Sequence, residues 1–143
     1  MAYVIALPAV RAWVNANTTL TGPGKPLTLG AFLETSRSPG TGAYALLSRV
    51  GRAGDLVAEE TVDSPRVSAT ILAGTLEAAE VAAVAYANAV DSLRGVRAPM
   101  GDVTCLVADN ITGPLYVDLG RSTQEQYQFL VDADFYLIEG APG

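Results

Sequence analysis

The sequence predicts an α+β fold, in which one mixed, mostly antiparallel β-sheet is packed by a long helix in the C-terminal half and a short N-terminal helix. Two patterns lead to this prediction. Several short segments alternate apolar and polar residues, which is typical of strands with one buried face, and two segments carry apolar residues at helical spacing. The glycine- and proline-rich breaks between them are too short to separate two cores, so residues 1–143 are predicted to form a single domain.

The N-terminal part of the chain is predicted to hold a helix and then a strand. Side chains spaced three and four residues apart, with Pro8 where a first helical residue tolerates proline, predict a short amphipathic helix over residues 6–16. The spaced residues are Val10, Trp13, Val14 and Asn17. A strand is expected near residues 27–34, because the apolar residues there alternate, namely Leu27, Leu29, Ala31 and Leu33.

Three further strands are expected before the long helix. Residues 43–50 are apolar at both odd and even positions, as in a strand covered on both faces, and residues 56–62 form a weaker, more acidic candidate. Residues 66–73 predict a half-buried strand, in which Val67, Ala69 and Ile71 alternate with Arg66, Ser68 and Thr70.

The strongest predicted element is a helix over residues 75–94. Thr75 can cap its first turn and Gly95 stops it, while Arg94 lies at the negative end of the helix dipole. One apolar stripe at helical spacing consists of Leu76, Ala79, Ala83, Tyr86, Val90 and Leu93. The middle of the helix is rich in alanine, which buries little area per side chain, so the helix needs a broad and closely fitted partner surface.

The C-terminal part of the chain is predicted to form three strands. Residues 103–108 and 115–119 form two of them, joined by a turn at residues 110–114. The last strand has one apolar face, made by Tyr127, Phe129, Val131, Ala133, Phe135 and Leu137, and one polar face, made by Gln126, Gln128, Asp132 and Asp134. If strands 66–73 and 103–108 lie parallel in one sheet, the long helix between them makes a right-handed crossover.

The composition excludes several kinds of chemistry. The 143 residues include no histidine and only one cysteine, which excludes Ser-His-Asp and Cys-His catalysis, an intramolecular disulfide and a cysteine-cluster zinc site. Nine basic and fifteen acidic residues give a net charge of −6, the opposite of a surface that wraps duplex DNA. Residues 1–10 match neither a signal peptide nor a membrane helix, so a soluble intracellular protein without membrane contact is expected.

The glycine-rich motifs are poor candidates for nucleotide binding. Residues 40–45 (GTGAYA) fit the loose dinucleotide pattern, but a loop precedes them and a strand-like segment follows, where the motif requires a strand and then a helix. Residues 22–25 (GPGK) are not a P-loop, because Thr19 stands where the first glycine should be and Pro26 where the hydroxyl should be. A flexible loop is the better interpretation of both.

The acidic and thiol candidates for chemistry also have simpler explanations. Asp132 and Asp134 lie on the same side of one strand, where they would either bind a divalent cation or form a solvated face, and the solvated face is favoured. Glu59 and Glu60 point to opposite faces if their strand forms. Cys105 lies in an apolar segment without a cationic neighbour, so a buried, unreactive thiol is expected.

Two larger side chains are candidates for contacts rather than for chemistry. Trp13 is interpreted as an anchor in the core or at an interface rather than as a platform for a ligand. Arg66 is expected either to pair with a carboxylate across a subunit contact or to be exposed. These groups do not combine into a recognisable active-site motif. A binding or structural protein without a catalytic residue, cofactor or metal is therefore favoured over an enzyme.

The order of the predicted elements resembles the tail terminator, or tail-completion, family of long-tailed bacteriophages. Several stretches are similar to the versions carried by phages of actinobacteria, namely residues 10–15 (VRAWVN), 37–40 (RSPG), 42–47 (GAYALL), 65–69 (PRVSA), 82–89 (AAVAYANA) and 131–136 (VDADFY). The resemblance covers nearly the whole chain and is one of overall pattern, since this family has no catalytic signature.

The resemblance implies a structural virion protein of the tail and neck, assembled in the host bacterial cytoplasm. Such proteins form a homo-oligomeric ring, usually a hexamer, that caps the tail-tube protein, ends its polymerisation and docks the head-side neck protein, while DNA passes through the lumen without specific binding. Residues 22–26 and 36–42 are then expected to be contact loops. The interface candidates are Trp13, Lys25, Arg37, Tyr44 and Arg66.

Other functions remain open from the sequence. Within the virion, the chain would alternatively be another neck component, such as a head-completion protein, or a tail-tube subunit. Outside the virion, a small binding module for a peptide or metabolite and a carboxylate enzyme using Asp132, Asp134 and a metal are the competing classes.

Overall fold

The elements of the chain are two helices and seven strands within the residues that the structure, a computed structural model, describes: 5–33, 42–52, 62–93, 97–117 and 127–140. In chain order they are α1 (Ala6–Ala16), β1 (Gly30–Leu33), β2 (Tyr44–Arg52), β3 (Val62–Asp63), β4 (Pro65–Ala73), α2 (Leu76–Asp91), β5 (Ala98–Met100), β6 (Val103–Val117) and β7 (Tyr127–Glu139). Several predicted features lie outside these ranges. They are the strand over residues 56–62, except for Val62, and the residues Arg37, Glu59, Glu60, Arg94, Gly95 and Gln126.

All of the strands belong to one mixed sheet. Six lie in the order β1-β2-β4-β7-β6-β5, and β3 pairs with the end of β7 that extends beyond β4. Only β1 and β2 pair in parallel, and the other pairings are antiparallel. The predicted α+β fold, with a mostly antiparallel sheet and two helices, is therefore confirmed.

The strands on either side of α2 are parallel but not adjacent. Both β4 and β6 pair antiparallel with β7, which lies between them. The two strands therefore run in the same direction, and the connection through α2 and β5 crosses over one intervening strand. The sequence pattern indicated the strand–helix–strand unit but not the strand that separates its two ends.

The first helix has the predicted bounds, but the strand after it is shorter than expected. Pro8 is the third helical residue, still within the first turn, where its missing N–H has no partner in the helix. β1 begins at Gly30, because Leu27 forms an isolated bridge with Thr21 instead. Asn15 attaches α1 to β1, since its side chain accepts from Ala31 N at 2.9 Å and donates to Ala31 O at 3.1 Å.

The long helix is capped as predicted but ends earlier. Thr75 Oγ1 accepts from Ala78 N at 3.2 Å, and the helix ends at Asp91, with Ser92 at the C-cap, rather than at residue 94. Of the predicted apolar stripe, Leu76 is 48% exposed, whereas the other members are buried. The alanines on the inner face let the helix approach the sheet closely, as its buried positions Ala79, Ala82 and Ala83 show.

The predicted turn at residues 110–114 is wrong, because β6 runs through it as one strand. The pairing of β6 with β7 shifts register at three places between Cys105 and Leu115. Asn110 has φ +52° and Gly113 has φ +102°, so the turn-forming residues are accommodated as bulges. A Cβ at position 113 would collide with the carbonyl oxygen of Leu130, which is why only glycine fits there.

Both helices pack on one face of the sheet. Their buried side chains form a single cluster with alternate residues of β4 and β7, namely Val67, Ala69, Ile71, Val131, Ala133, Phe135 and Leu137. The opposite face, which carries Thr70 and Leu130, is only partly buried. β2 is likewise not covered on both sides as predicted, since Leu46 is half-buried and Val50 is exposed.

The two edges of the sheet approach the same helix. α1 contacts β1 and β2 at one edge and β5 at the other, so the sheet curls around it. α2 packs instead on β4, β7 and β6 in the middle of the sheet. The outer face of α2 and the end of β6 that lies beyond β5 are therefore left on the surface.

Candidate functional site

A polar network crosses the middle of the sheet on the face opposite the helices. Arg66 on β4 donates to Asp134 Oδ1 on β7 at 3.0 Å, and Asn110 Nδ2 on β6 donates to Asp134 Oδ2 at 2.8 Å. Arg66 also donates to the Thr112 hydroxyl at 2.9 Å and to the Asn110 carbonyl oxygen at 3.2 Å. The network satisfies a carboxylate whose side chain is only 4% exposed and holds three strands together.

This network corrects the predictions for two of the sequence candidates. Arg66 was expected to be exposed or to pair across a subunit contact, but it pairs within the chain. Asp134 lies on the polar face of β7 as predicted, yet that face is not solvated at this position, because the side chains of Arg66 and Asn110 lie against the carboxylate. The described ranges contain no group of three or more His, Cys, Asp or Glu side chains placed to hold a metal ion.

A second ion pair and a buried tyrosine hydroxyl also lie in the interior of the described residues. Arg49 donates to Asp63 Oδ2 at 2.8 Å, and Asp63 is fully buried. Tyr86 on α2 is also fully buried, and its hydroxyl has no hydrogen-bond partner among the described residues. Burial raises the pKa of Tyr86 above its ordinary value, and the negative charge of Asp132 raises it further. The Arg49–Asp63 ion pair therefore links two distant segments of the chain, whereas the Tyr86 hydroxyl is buried without a partner among the described residues.

Cys105 has the environment that the sequence predicts. Its side chain is fully buried, and Sγ lies 3.5 Å from the carbonyl oxygen of Val107. Burial raises the pKa of the Cys105 thiol to about 11, while hydrogen bonds with the backbone oppose the rise.

We expect this thiol to be unreactive in the folded protein and to affect alkaline stability. Because its pKa is raised from 9.0 to about 11 on folding, the thiol contributes stability that is present below pH 9 and is lost as the pH rises through 11. Between pH 9 and pH 11, the free energy of unfolding of a Cys105→Ala variant should therefore fall by on the order of 2 kcal/mol less than that of the wild type. Urea denaturation of both proteins at several pH values measures the difference, and parallel pH profiles would contradict the prediction.

Four of the five predicted interface residues are described, and they lie on α1, β2, β4 and one loop. Trp13 on α1 is half-buried and packs against the core. Lys25 is exposed in the loop of residues 22–26, which borders an open groove beside the N-terminal half of α2. Tyr44 on β2 is buried and makes an edge-to-face ring contact with Phe32, with centroids 6.1 Å apart. Arg66 belongs to the network above, and Arg37 lies outside the described residues.

Two exposed apolar surfaces were missed by the sequence reasoning. The first is the outer face of α2, where Leu76, Val81 and Val84 are exposed beside Glu77 and Glu80. Its signal in the sequence was the pair of valines three residues apart and off the buried stripe. The second is residues 111–117, called here the distal β6 segment, in which Leu115 is 61% exposed and Tyr116 is 44% exposed.

The distal β6 segment is uncharged and lies at an open edge. Residues 111–117 (ITGPLYV) contain no Asp, Glu, Lys or Arg, although the whole chain carries a net charge of −6. β5 pairs with β6 only between Val103 and Cys105, and no other described strand pairs with the outer edge beyond that point. Tyr116 is fixed by a ring contact with Phe129, with centroids 5.4 Å apart. Leu115 pairs with Leu130 and Tyr116 with Phe129, so their side chains project from opposite faces of the sheet, and the segment is an apolar strip along both sides of this edge.

Comparisons with known proteins add no relative. A scan against models of protein families gives no match, and a search among curated proteins gives no significant match either. Neither helix of the described ranges is long and apolar enough to cross a membrane. The functional conclusion therefore depends on the surfaces of the chain itself.

Proposed function

We propose that this protein is a structural virion component that forms a closed ring on the end of a phage tail tube, ends its polymerisation and provides the docking surface for the head-side neck. The observation that carries the proposal is the distal β6 segment, an exposed and uncharged apolar surface on a strongly acidic chain. Copies of an acidic protein repel one another wherever charged surfaces meet, so an uncharged apolar surface is where self-association costs least.

The open sheet supports self-association by the same segment. An exposed strand edge invites pairing unless something covers it, and a closed ring covers it with a neighbouring copy. The bulges in β6 and the missing N–H of Pro114 interrupt this edge, which disfavours indefinite sheet extension. Side-chain contacts of Leu115 and Tyr116 are therefore expected to stabilise the ring contact more than backbone pairing does.

The polar interior also supports a role without chemistry. Arg66 and Asp134 carry charged groups of the kind that active sites use, but they form an ion pair with each other across the sheet. Asp63, the other carboxylate residue that is buried among those described, pairs with Arg49. In such a protein these groups fix the shape that the neighbouring proteins recognise, and fit between surfaces performs the function.

The net charge suits the passage of DNA through the ring. Basic proteins bind DNA because their cations release counterions from the phosphates. A negatively charged wall has the same sign as the phosphates, so it does not retain DNA in this way. The lumen is therefore proposed to let DNA slide without specific binding.

Replacing the exposed apolar pair should weaken ring formation without unfolding the subunit. We expect a Leu115→Lys/Tyr116→Lys variant to shift assembly to at least about tenfold higher concentration, because two anchor side chains are lost and two charged groups would have to be buried without partners in the contact. Sedimentation velocity or mass photometry measures the assembly, and circular dichroism checks the fold.

The matched control is Val50→Lys, since Val50 is 52% exposed on β2, away from the distal β6 segment. This control should assemble like the wild type. If the Leu115/Tyr116 variant forms the same rings as the wild type, the distal β6 segment is not the contact between copies.

A further inference from the structure

We propose that the outer face of α2 is the docking surface for a basic amphipathic helix of a partner protein, and not for a second copy of this chain. The proposal deepens the proposed function, on which it rests, by naming the chemistry of a heterologous partner. The exposed valines Val81 and Val84 lie one turn apart on this face and are 51% and 42% exposed. Glu77 and Glu80 lie beside them, so the face is both apolar and acidic.

The shape beside the helix fits a second helix. One groove follows the N-terminal half of α2, between Val81 and the loop that contains Lys25. Another follows its C-terminal half, between Val84 and the bulged part of β6 around Ile111. The exposed valines therefore stand on a ridge with a groove on each side, which is the surface that ridges-into-grooves packing of two helices requires.

The charge on α2 determines the sign of the partner. The helix Leu76–Asp91 contains three acidic residues and no Lys or Arg. Glu77 and Glu80 each precede one of the exposed valines by one helical turn, so the apolar ridge carries negative charge along its length and complements a helix whose apolar stripe is bordered by Lys or Arg. Two copies of α2 would instead bring like charges together, which disfavours a two-fold contact through this face.

The rest of the described surface offers no matching basic face on a second copy. Arg49 and Arg66 are held in ion pairs within the chain. The other cations with described side chains, Arg11, Lys25 and Arg97, lie on three separate parts of the chain. The groove beside the start of α1 is bordered by the acidic pair Asp102 and Glu139. A basic partner protein is therefore the occupant that the charges favour.

A charge-reversal experiment with a synthetic probe tests this proposal. The probe is a fluorescently labelled helical peptide made of leucine and lysine, with one apolar stripe, and its binding to the full chain is followed by anisotropy at increasing salt. We expect a Glu77→Lys/Glu80→Lys variant to bind the peptide at least about tenfold more weakly than the wild type, because attraction becomes repulsion at the rim of the contact.

The matched control is Asp102→Lys/Glu139→Lys, which changes the net charge equally at two other exposed acids. This control should bind the peptide like the wild type. If both variants lose the same amount of peptide affinity, binding depends only on the net charge of the protein, and the proposal is wrong. Unchanged peptide binding by the Glu77/Glu80 variant would also overturn it.

Self-assembly separates this proposal from the proposed function. The Glu77→Lys/Glu80→Lys variant should form the same rings as the wild type, because α2 is not the contact between copies. If this variant forms no rings, α2 takes part in the contact between copies, and its assignment to a heterologous partner is wrong. The proposal that the wild-type protein forms a ring would not be affected. Absence of rings in the wild type, with specific peptide binding to α2, would contradict the proposed function and support the docking surface.

Discussion

Replacing Arg66 by leucine is expected to lower the free energy of unfolding by about 3–5 kcal/mol, because it leaves a buried carboxylate without its cation. The Asp134 side chain is 4% exposed, and Asn110 alone would remain as a side-chain donor to it. The loss should exceed that of a surface ion pair, since the Asp134 carboxylate is almost inaccessible to water in the folded chain, although Arg66 itself is 23% exposed. Urea denaturation, followed by circular dichroism, measures the change.

The double variant Arg66→Leu/Asp134→Leu is the control for this prediction. Removing both charges removes the uncompensated carboxylate, so most of the lost stability should return. If the single variant is destabilised by less than about 1 kcal/mol, the ion pair behaves like an exposed one. That result would contradict the view that the network holds β4, β6 and β7 together.

Replacing Gly113 by alanine is expected to cost about 2–4 kcal/mol of folding stability. Gly113 has φ +102°, a conformation that residues with a Cβ rarely adopt, and the added Cβ would collide with the backbone carbonyl oxygen of Leu130. A backbone atom in the middle of a paired strand cannot move aside as a flexible side chain can. Chemical denaturation measures the cost.

Gly74→Ala is the matched control for this substitution. A Cβ at Gly74 meets nothing within 4 Å, and its φ is not in the left-handed region, so we expect a change of less than about 1 kcal/mol. Equal stability of the Gly113 variant and the control would contradict the bulged path of β6. The two-strand prediction, with a free turn at residues 110–114, would then be preferred.

Local sequence patterns predicted the elements whose contacts repeat regularly. The alternation of β7 and the helical spacing of α1 follow directly from which side chains meet the core, and Thr75 caps α2 through a contact with a residue only three positions away. Register and bulges depend on pairing between distant segments. Asn110 and Gly113 look like a turn in sequence, and only their pairing with β7 makes them bulges.

The surfaces were harder to predict than the fold. The sequence placed Leu76 in the buried stripe of α2, because spacing alone does not show where the sheet stops covering the helix. Arg66 and Asp134 are 68 residues apart, so their ion pair was not visible in any local pattern. The exposed pair Leu115 and Tyr116 resembled an ordinary strand, and local alternation does not show that β5 ends short of this segment or that its side chains are left on the surface.

Electron microscopy of the purified protein mixed with growing tail tubes tests the central proposal most directly. We expect closed rings of one size, each seated on a tube end, and tubes that stop growing once the ring is added. Long tubes made of this protein alone would instead identify a tube subunit. Subunits that stay single at high concentration and leave tube growth unchanged would contradict the account.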